Sequence, residues 1–130
     1  MEKRKLSIAI VDDSEIIRER LVNKIRKNDS YNVIWQAENA ESTYISCSEA
    51  EPAVLILDIQ LPDGSGIDVL EKIKTDNSSI KVIMLTNYPS LPFRKKCIEA
   101  GADYFFDKST EFEKVFDVLK ELAINENIEN

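Results

Sequence analysis

The feature that most constrains this chain is a repeated pairing of a short, nearly unbroken apolar run with a longer segment of helical spacing. The runs are Leu6 to Val11, Tyr31 to Ala37, Val54 to Ile59, Lys81 to Leu85 and Tyr104 to Phe106. Apart from the second, which alternates partly, they are continuous, as strands are when helices cover both faces of a parallel sheet. Ile16, Ile17, Leu21 and Ile25 form an apolar stripe after the first run, and Ile67, Leu70 and Ile73 form another after the third. Pro92 to Ala100 reads as a short helix with Phe93, Cys97 and Ile98 along one side and Gly101 as its C-terminal cap. Thr110 and Glu113 have the spacing of a capping box ahead of Phe112, Val115, Phe116, Leu119 and Leu122. Asn39 to Ala50 is the weakest helix, because its serines and threonine lower propensity and Tyr44, Ile45 and Cys47 alone suggest a buried side. Strand and helix thus alternate throughout, and right-handed crossovers turn such a chain into an α/β, doubly wound parallel sheet of five strands.

With 130 residues the chain has room for a single domain, with a core over 6–123 and a polar tail over 124–130. Seventeen basic against 24 acidic residues give a net charge of -7, which opposes direct contact with nucleic acid or an anionic membrane surface. Histidine is absent, so Ser-His-Asp catalysis, His-ligated zinc and a phosphohistidine on this chain are excluded. Cys47 and Cys97 lack Cys-x-x-Cys spacing and read as free thiols in a cytoplasmic protein. The first apolar run stops at Val11, too short for a signal peptide, and nothing approaches the roughly 18 apolar residues of a membrane insertion.

In doubly wound sheets ligands sit beyond the carboxyl ends of the strands. Here the first strand ends in Asp12-Asp13, the third in Asp58, the fourth in Thr86 and the fifth in Asp107-Lys108. Taken alone, Asp12-Asp13 are equally well read as helix caps, Thr86 as a strand end and Lys108 as a solvated lysine. Asp58 differs, because it interrupts Val54-Leu55-Ile56-Leu57 and Ile59-Gln60-Leu61, where a carboxylate needs a partner. Three carboxylates in one cleft repel unless a cation joins them, and Mg2+, a hard ion held by carboxylates, water and phosphate oxygens, answers that need. Lys108 brings the charge sum to zero, and Thr86 offers a hydroxyl to a phosphoryl oxygen.

These positions, in order and with Leu61-Pro62-Asp63-Gly64 after Asp58, resemble the response-regulator receiver domain of two-component signalling, over about residues 6 to 123. The resemblance implies a flavodoxin-like (βα)5 fold with strand order 2-1-3-4-5. It implies that Asp58 accepts a phosphoryl group, in a Mg2+-dependent step, from a histidine kinase or histidine phosphotransfer protein. By the same resemblance Asp12, Asp13 and Asp58 with the Gln60 carbonyl hold the metal, Asp13 directly. Thr86 and Lys108 read the phosphoryl oxygens, and Phe105 is the switch aromatic that turns inward afterwards. The output is then a changed face on the fourth helix, fifth strand and fifth helix, which binds a downstream target or a second copy, or passes phosphate onward. The protein would be a regulator with self-catalysed phosphorylation and dephosphorylation rather than an enzyme.

Two positions depart from the family pattern. Asn87 follows Thr86 where a small residue is frequent, and Ser109 follows Lys108 where many members have a cis proline. A flavodoxin-like FMN carrier fits the architecture, but its phosphate loop wants hydroxyls and amides rather than two carboxylates. A haloacid-dehalogenase-type phosphatase would have Asp-x-Asp after its first strand, and a module without phosphorylation would not need Asp58, Lys108 and Thr86 together. With no output domain after residue 123, the chain is expected to act alone. Arg94-Lys95-Lys96 reads as a solvated helix face.

Overall fold

The structure, a computed structural model, describes residues 4–126 and 128. Its main sheet comprises β1 (Leu6–Val11), β2 (Tyr31–Ala37), β3 (Val54–Leu57), β6 (Lys81–Thr86) and β7 (Tyr104–Asp107). A two-residue pair, β4 (Gln60–Leu61) and β5 (Gly64–Ser65), forms an antiparallel hairpin after β3. The main sheet is parallel with order β2-β1-β3-β6-β7, which is 2-1-3-4-5 when its own strands are counted. The order reverses between β1 and β3, so the carboxyl ends of these two strands open into one crevice.

Five helices complete the described residues: α1 (Glu15–Ile25), α2 (Ala40–Glu49), α3 (Gly66–Asp76), α4 (Leu91–Glu99) and α5 (Lys114–Asn125). One apolar layer joins α1 and α5 to one face of the sheet through Leu21, Ile25, Val115, Leu119 and Leu122. The other joins α2, α3 and α4 to the opposite face through Cys47, Val69, Leu70, Ile73 and Cys97. Strands β1, β3 and β6 contribute to both layers, which is why their sequences do not alternate.

Several local expectations need correction. Ile16 is 71% exposed, so the α1 stripe narrows to Leu21, Val22 and Ile25 with Ile17 half-buried. Of the three α4 residues expected on one side, Cys97 is buried while Phe93 and Ile98 are exposed. Thr43 and Cys47, not Ile45, are the buried residues of α2. The third strand ends at Leu57, because the backbone turns at Asp58 to start the hairpin. No Thr110–Glu113 capping box forms: α5 begins after Glu113, which makes no side-chain cap bond. Glu111 instead accepts from the Asp107 amide at 3.2 Å and from Lys114 at 2.8 Å. The expected polar tail contains Ile128, which packs into the α1–α5 layer.

Candidate functional site

Each acidic residue is placed by an ordinary feature of its strand end. Asp12 follows β1, and its amide continues the strand pairing by donating to the Ala37 carbonyl at 3.1 Å. Its Oδ1 accepts from the Ser14 amide at 2.9 Å, and Ser14 caps α1 by accepting from Ile17 at 3.3 Å. Asp58 follows β3, with its amide on the Val11 carbonyl at 3.1 Å and its Oδ1 accepting from the Ile59 amide at 2.7 Å. Asp12, Asp13 and Asp58 each offer an oxygen within 4.8 Å of the others. Asp12 and Asp58 are buried, Asp58 being 6% exposed, whereas Asp13 is exposed.

Lys108 reaches in from the end of β7 and lies between the two buried carboxylates, 2.5 Å from Asp12 Oδ2 and 2.9 Å from Asp58 Oδ2. Burial disfavours the ammonium, but the hydrogen bonds and charges of these two partners prevail and hold Lys108 above the usual lysine pKa. Burial is the largest influence on Asp12 and lifts its carboxyl above the ordinary value despite the Lys108 bond. With the lysine between the two buried carboxylates, Asp13 is the carboxylate of the cluster left facing solvent. The donor set suits a hard divalent cation: carboxylate oxygens, partly exposed, with room for water beside them.

A cleft of about 500 Å³ opens over this cluster, lined by Asp13, Asp58, Gln60, Asn87, Tyr88 and Lys108 among others. Thr86 does not line it. Its side chain is fully buried at the end of β6, where Oγ1 accepts from the Tyr88 amide at 3.1 Å, leaving the hydroxyl proton free to be donated. Phe105 is also away from the cleft, 3% exposed in the α2–α4 layer, with the Arg94 guanidinium 5.4 Å from its ring centroid. The ring expected to turn inward is therefore already inside. Asn87 stands at the cleft wall, and the Lys108–Ser109 bond is trans, the described residues containing no cis peptide.

The sequence matches the response regulator receiver domain family over residues 8–120. The chain belongs to that family. Among curated relatives, the receiver resembles the transcriptional regulatory protein YdfI of Bacillus subtilis, 32% identical over 121 residues, covering 93% of this chain and 56% of that protein. It also resembles a cyclic di-GMP phosphodiesterase of Thermotoga maritima, 40% identical over 108 residues, covering 83% of this chain but 28% of that protein. The chain therefore spans little more than half of one relative and under a third of the other. Among solved structures, the response regulator domain of Thermotoga maritima CheB superposes with a TM-score of 0.81 at 24% identity, covering 98% of this chain and 100% of that one, and shares its fold.

The roles of three residues that shape the receiver site escaped the sequence reading. Gly66 starts α3 against the Asp58 backbone: a Cβ there would lie 1.9 Å from the Asp58 carbonyl oxygen, and its amide bonds the Ile59 carbonyl at 2.5 Å. Its signal was the second glycine of Gly64-Ser65-Gly66. Asp63 accepts from the Ala40 and Glu41 amides at 2.7 and 3.0 Å, so the hairpin after Asp58 caps α2, and these amides depress its pKa. Arg18 donates to the Asp12 carbonyl at 2.7 Å. For Arg18 and Asp63 the partners are backbone atoms, which no side-chain pattern displays.

Proposed function

We propose that this receiver is a phosphoacceptor switch in which Asp58 takes a phosphoryl group from the phosphohistidine of a histidine kinase or phosphotransfer protein. The observation that carries the reading is a nearly buried carboxylate at a strand end, paired to Lys108 at 2.9 Å and grouped with two further carboxylates under an open cleft. An Asp58 oxygen attacks phosphorus, a P–O bond forms as the P–N bond breaks, and the imidazole nitrogen leaves with the electron pair. Such transfer depends on positioning and charge neutralisation rather than on a large covalent apparatus. Lys108 supplies one of the required charges and fixes Asp58 Oδ2, while the Ile59 amide fixes Oδ1. Asp12, Asp13, Asp58 and the Gln60 carbonyl would hold Mg2+. Bound there, the ion would neutralise phosphoryl oxygens beside the acidic cluster.

Thr86 is the hydroxyl donor to a phosphoryl oxygen, and because its Oγ1 accepts from the Tyr88 amide, a shift of Thr86 carries the segment leading into α4. Phe105, already inside, would be held there rather than drawn in. The output face is formed by α4, β7 and α5, for a target protein or a second copy. Coupling of this kind is worth about 1–3 kcal/mol, or roughly 5- to 150-fold in affinity.

The test is intact mass after treatment with acetyl phosphate, with and without Mg2+. One added phosphoryl group is expected with Mg2+, and none on Asp58→Asn. An unchanged mass in the wild type, or equal labelling of the variant, defeats the reading. Beryllofluoride with Mg2+ should move amide shifts along α4 and β7, and a face that stays unmoved removes the output proposal while leaving phosphorylation intact.

A further inference from the structure

Arg18 lies on α1, beyond the cap residue, and its side chain runs back toward the strand that precedes the helix. Its Nη1 donates to the Asp12 carbonyl at 2.7 Å, and its Nη2 lies 3.9 Å from Glu38 Oε2 at the start of the β2–α2 connection. The Arg18 side chain is 15% exposed and that of Glu38 65%, so the carbonyl bond is the shielded contact and the ion pair a weak one.

The carbonyl is the last backbone group of Asp12 to be tied. The amide bonds Ala37, Oδ1 accepts from Ser14 and Oδ2 meets Lys108. A planar peptide links that carbonyl rigidly to the nitrogen and Cα of Asp13, so fixing the carbonyl fixes where the Asp13 Cα sits and the N–Cα axis about which its side chain turns. Asp13 is exposed, and a carboxylate oxygen of it lies within 4.8 Å of those of Asp12 and Asp58.

We infer that Arg18 is a positioning residue for the acidic cluster, holding the Asp12–Asp13 peptide so that the Asp13 carboxylate joins the other two. The inference rests on the reading of that cluster as the Mg2+ site. A guanidinium suits the task because its planar fork presents Nη1 to the carbonyl and Nη2 toward Glu38 in one fixed geometry, whereas an ammonium would have to reach both from a single nitrogen on a flexible stem.

Charge and positioning predict opposite signs, which makes the inference testable. Removing a cation near the carboxylates would by itself tighten Mg2+ binding, whereas releasing the peptide would loosen it. Groups that orient metal ligands are worth about 10- to 100-fold in affinity. Calorimetric titration of the full chain with Mg2+ should show Arg18→Ala weakened roughly tenfold and Arg18→Lys, which keeps the charge, also weakened. Glu38→Gln should stay within about twofold of wild type, as expected of an exposed pair. Thermal unfolding run in parallel separates a purely structural role, which lowers Tm and leaves the Mg2+ Kd alone. An unchanged or tighter Kd in Arg18→Ala, an unchanged Kd in Arg18→Lys, or a Glu38→Gln loss as large as that of Arg18→Lys overturns the inference. A wild-type chain that binds no Mg2+ and takes no phosphoryl group would instead remove the functional reading beneath it.

Discussion

Helices α4 and α5 flank the same edge strand, β7, on opposite faces of the sheet, yet they are held by different means. α5 buries Val115, Val118, Leu119, Leu122 and Ala123, and just before it Phe112 lies under the Arg20 guanidinium at 4.3 Å. α4 buries Cys97 alone, while Leu91, at 79% exposure, Phe93 and Ile98 face outward beside Arg94, Lys95 and Lys96. Apolar content does not decide the matter, for both helices are rich in it; the number of side chains enclosed does. Segments with few buried apolar contacts open at lower free energy. The helix next to Thr86 and Tyr88 is thus the more lightly held, and the helix beyond Lys108 the firmer.

The largest effect that can break this contrast lies in α5. Leu119 is fully buried, so Leu119→Ala should cost about 2–5 kcal/mol in urea unfolding through lost burial and the cavity left behind. Leu91→Ala in α4 should lie within about 0.5 kcal/mol of wild type, as exposed positions do. Comparable losses at the two positions would mean that α4 is covered in solution by something the chain itself does not supply.

A smaller effect belongs to Cys97, the one enclosed side chain of α4. Cys97→Ala should cost about 1 kcal/mol, the middle of the range for point substitutions, and should raise amide exchange in α4 before that in α5. Burial also pushes the Cys97 thiol up to about 11 from an ordinary value of 9.0. As pH rises between these values the unfolded chain loses the thiol proton while the folded chain keeps it, so this thiol makes stability fall. Below about 9 both states are protonated and the contribution vanishes. Cys47, likewise raised to about 11, acts in the same sense, so the alkaline loss should shrink in Cys97→Ala without disappearing. An equal alkaline slope in wild type and variant would show that Cys97 is not enclosed.

What could be read from the sequence follows from range. Strand identity rested on continuous apolar runs, a local and repeated signal, whereas the sheet's order came from the family resemblance carried by the residues at the strand ends. Asp58 stood out because charge at the end of an apolar strand is costly unless it meets a partner, while Asp12 and Lys108, ordinary when taken alone, gained meaning from their joint place at strand ends, and the structure pairs all three. Ile16 and Ile98 were misplaced because a stripe of helical period shows that a face exists without showing its width. The roles of Arg18, Asp63 and Gly66 were missed for another reason. Their partners are backbone atoms of other segments, and a backbone carbonyl or amide leaves no letter in the sequence.

The smallest predicted effect tests how the two helices begin. Ser90 caps α4, accepting from the Phe93 amide at 3.4 Å. Glu113 at the start of α5 accepts no such bond, and Thr110, despite its capping-box spacing, is exposed on the turn before it. A helix fastened by five enclosed side chains needs little from its first turn, whereas one fastened by a single cysteine depends on its cap. Ser90→Ala should therefore cost about 0.5–1 kcal/mol, the lower part of the range for caps because the bond is long, with faster exchange confined to α4. Thr110→Ala should change stability by less than about 0.5 kcal/mol and leave α5 exchange alone. If Thr110→Ala proved the more damaging of the two, a cap absent from this structure would be holding α5, and burial would no longer explain why α5 is the firmer neighbour of β7.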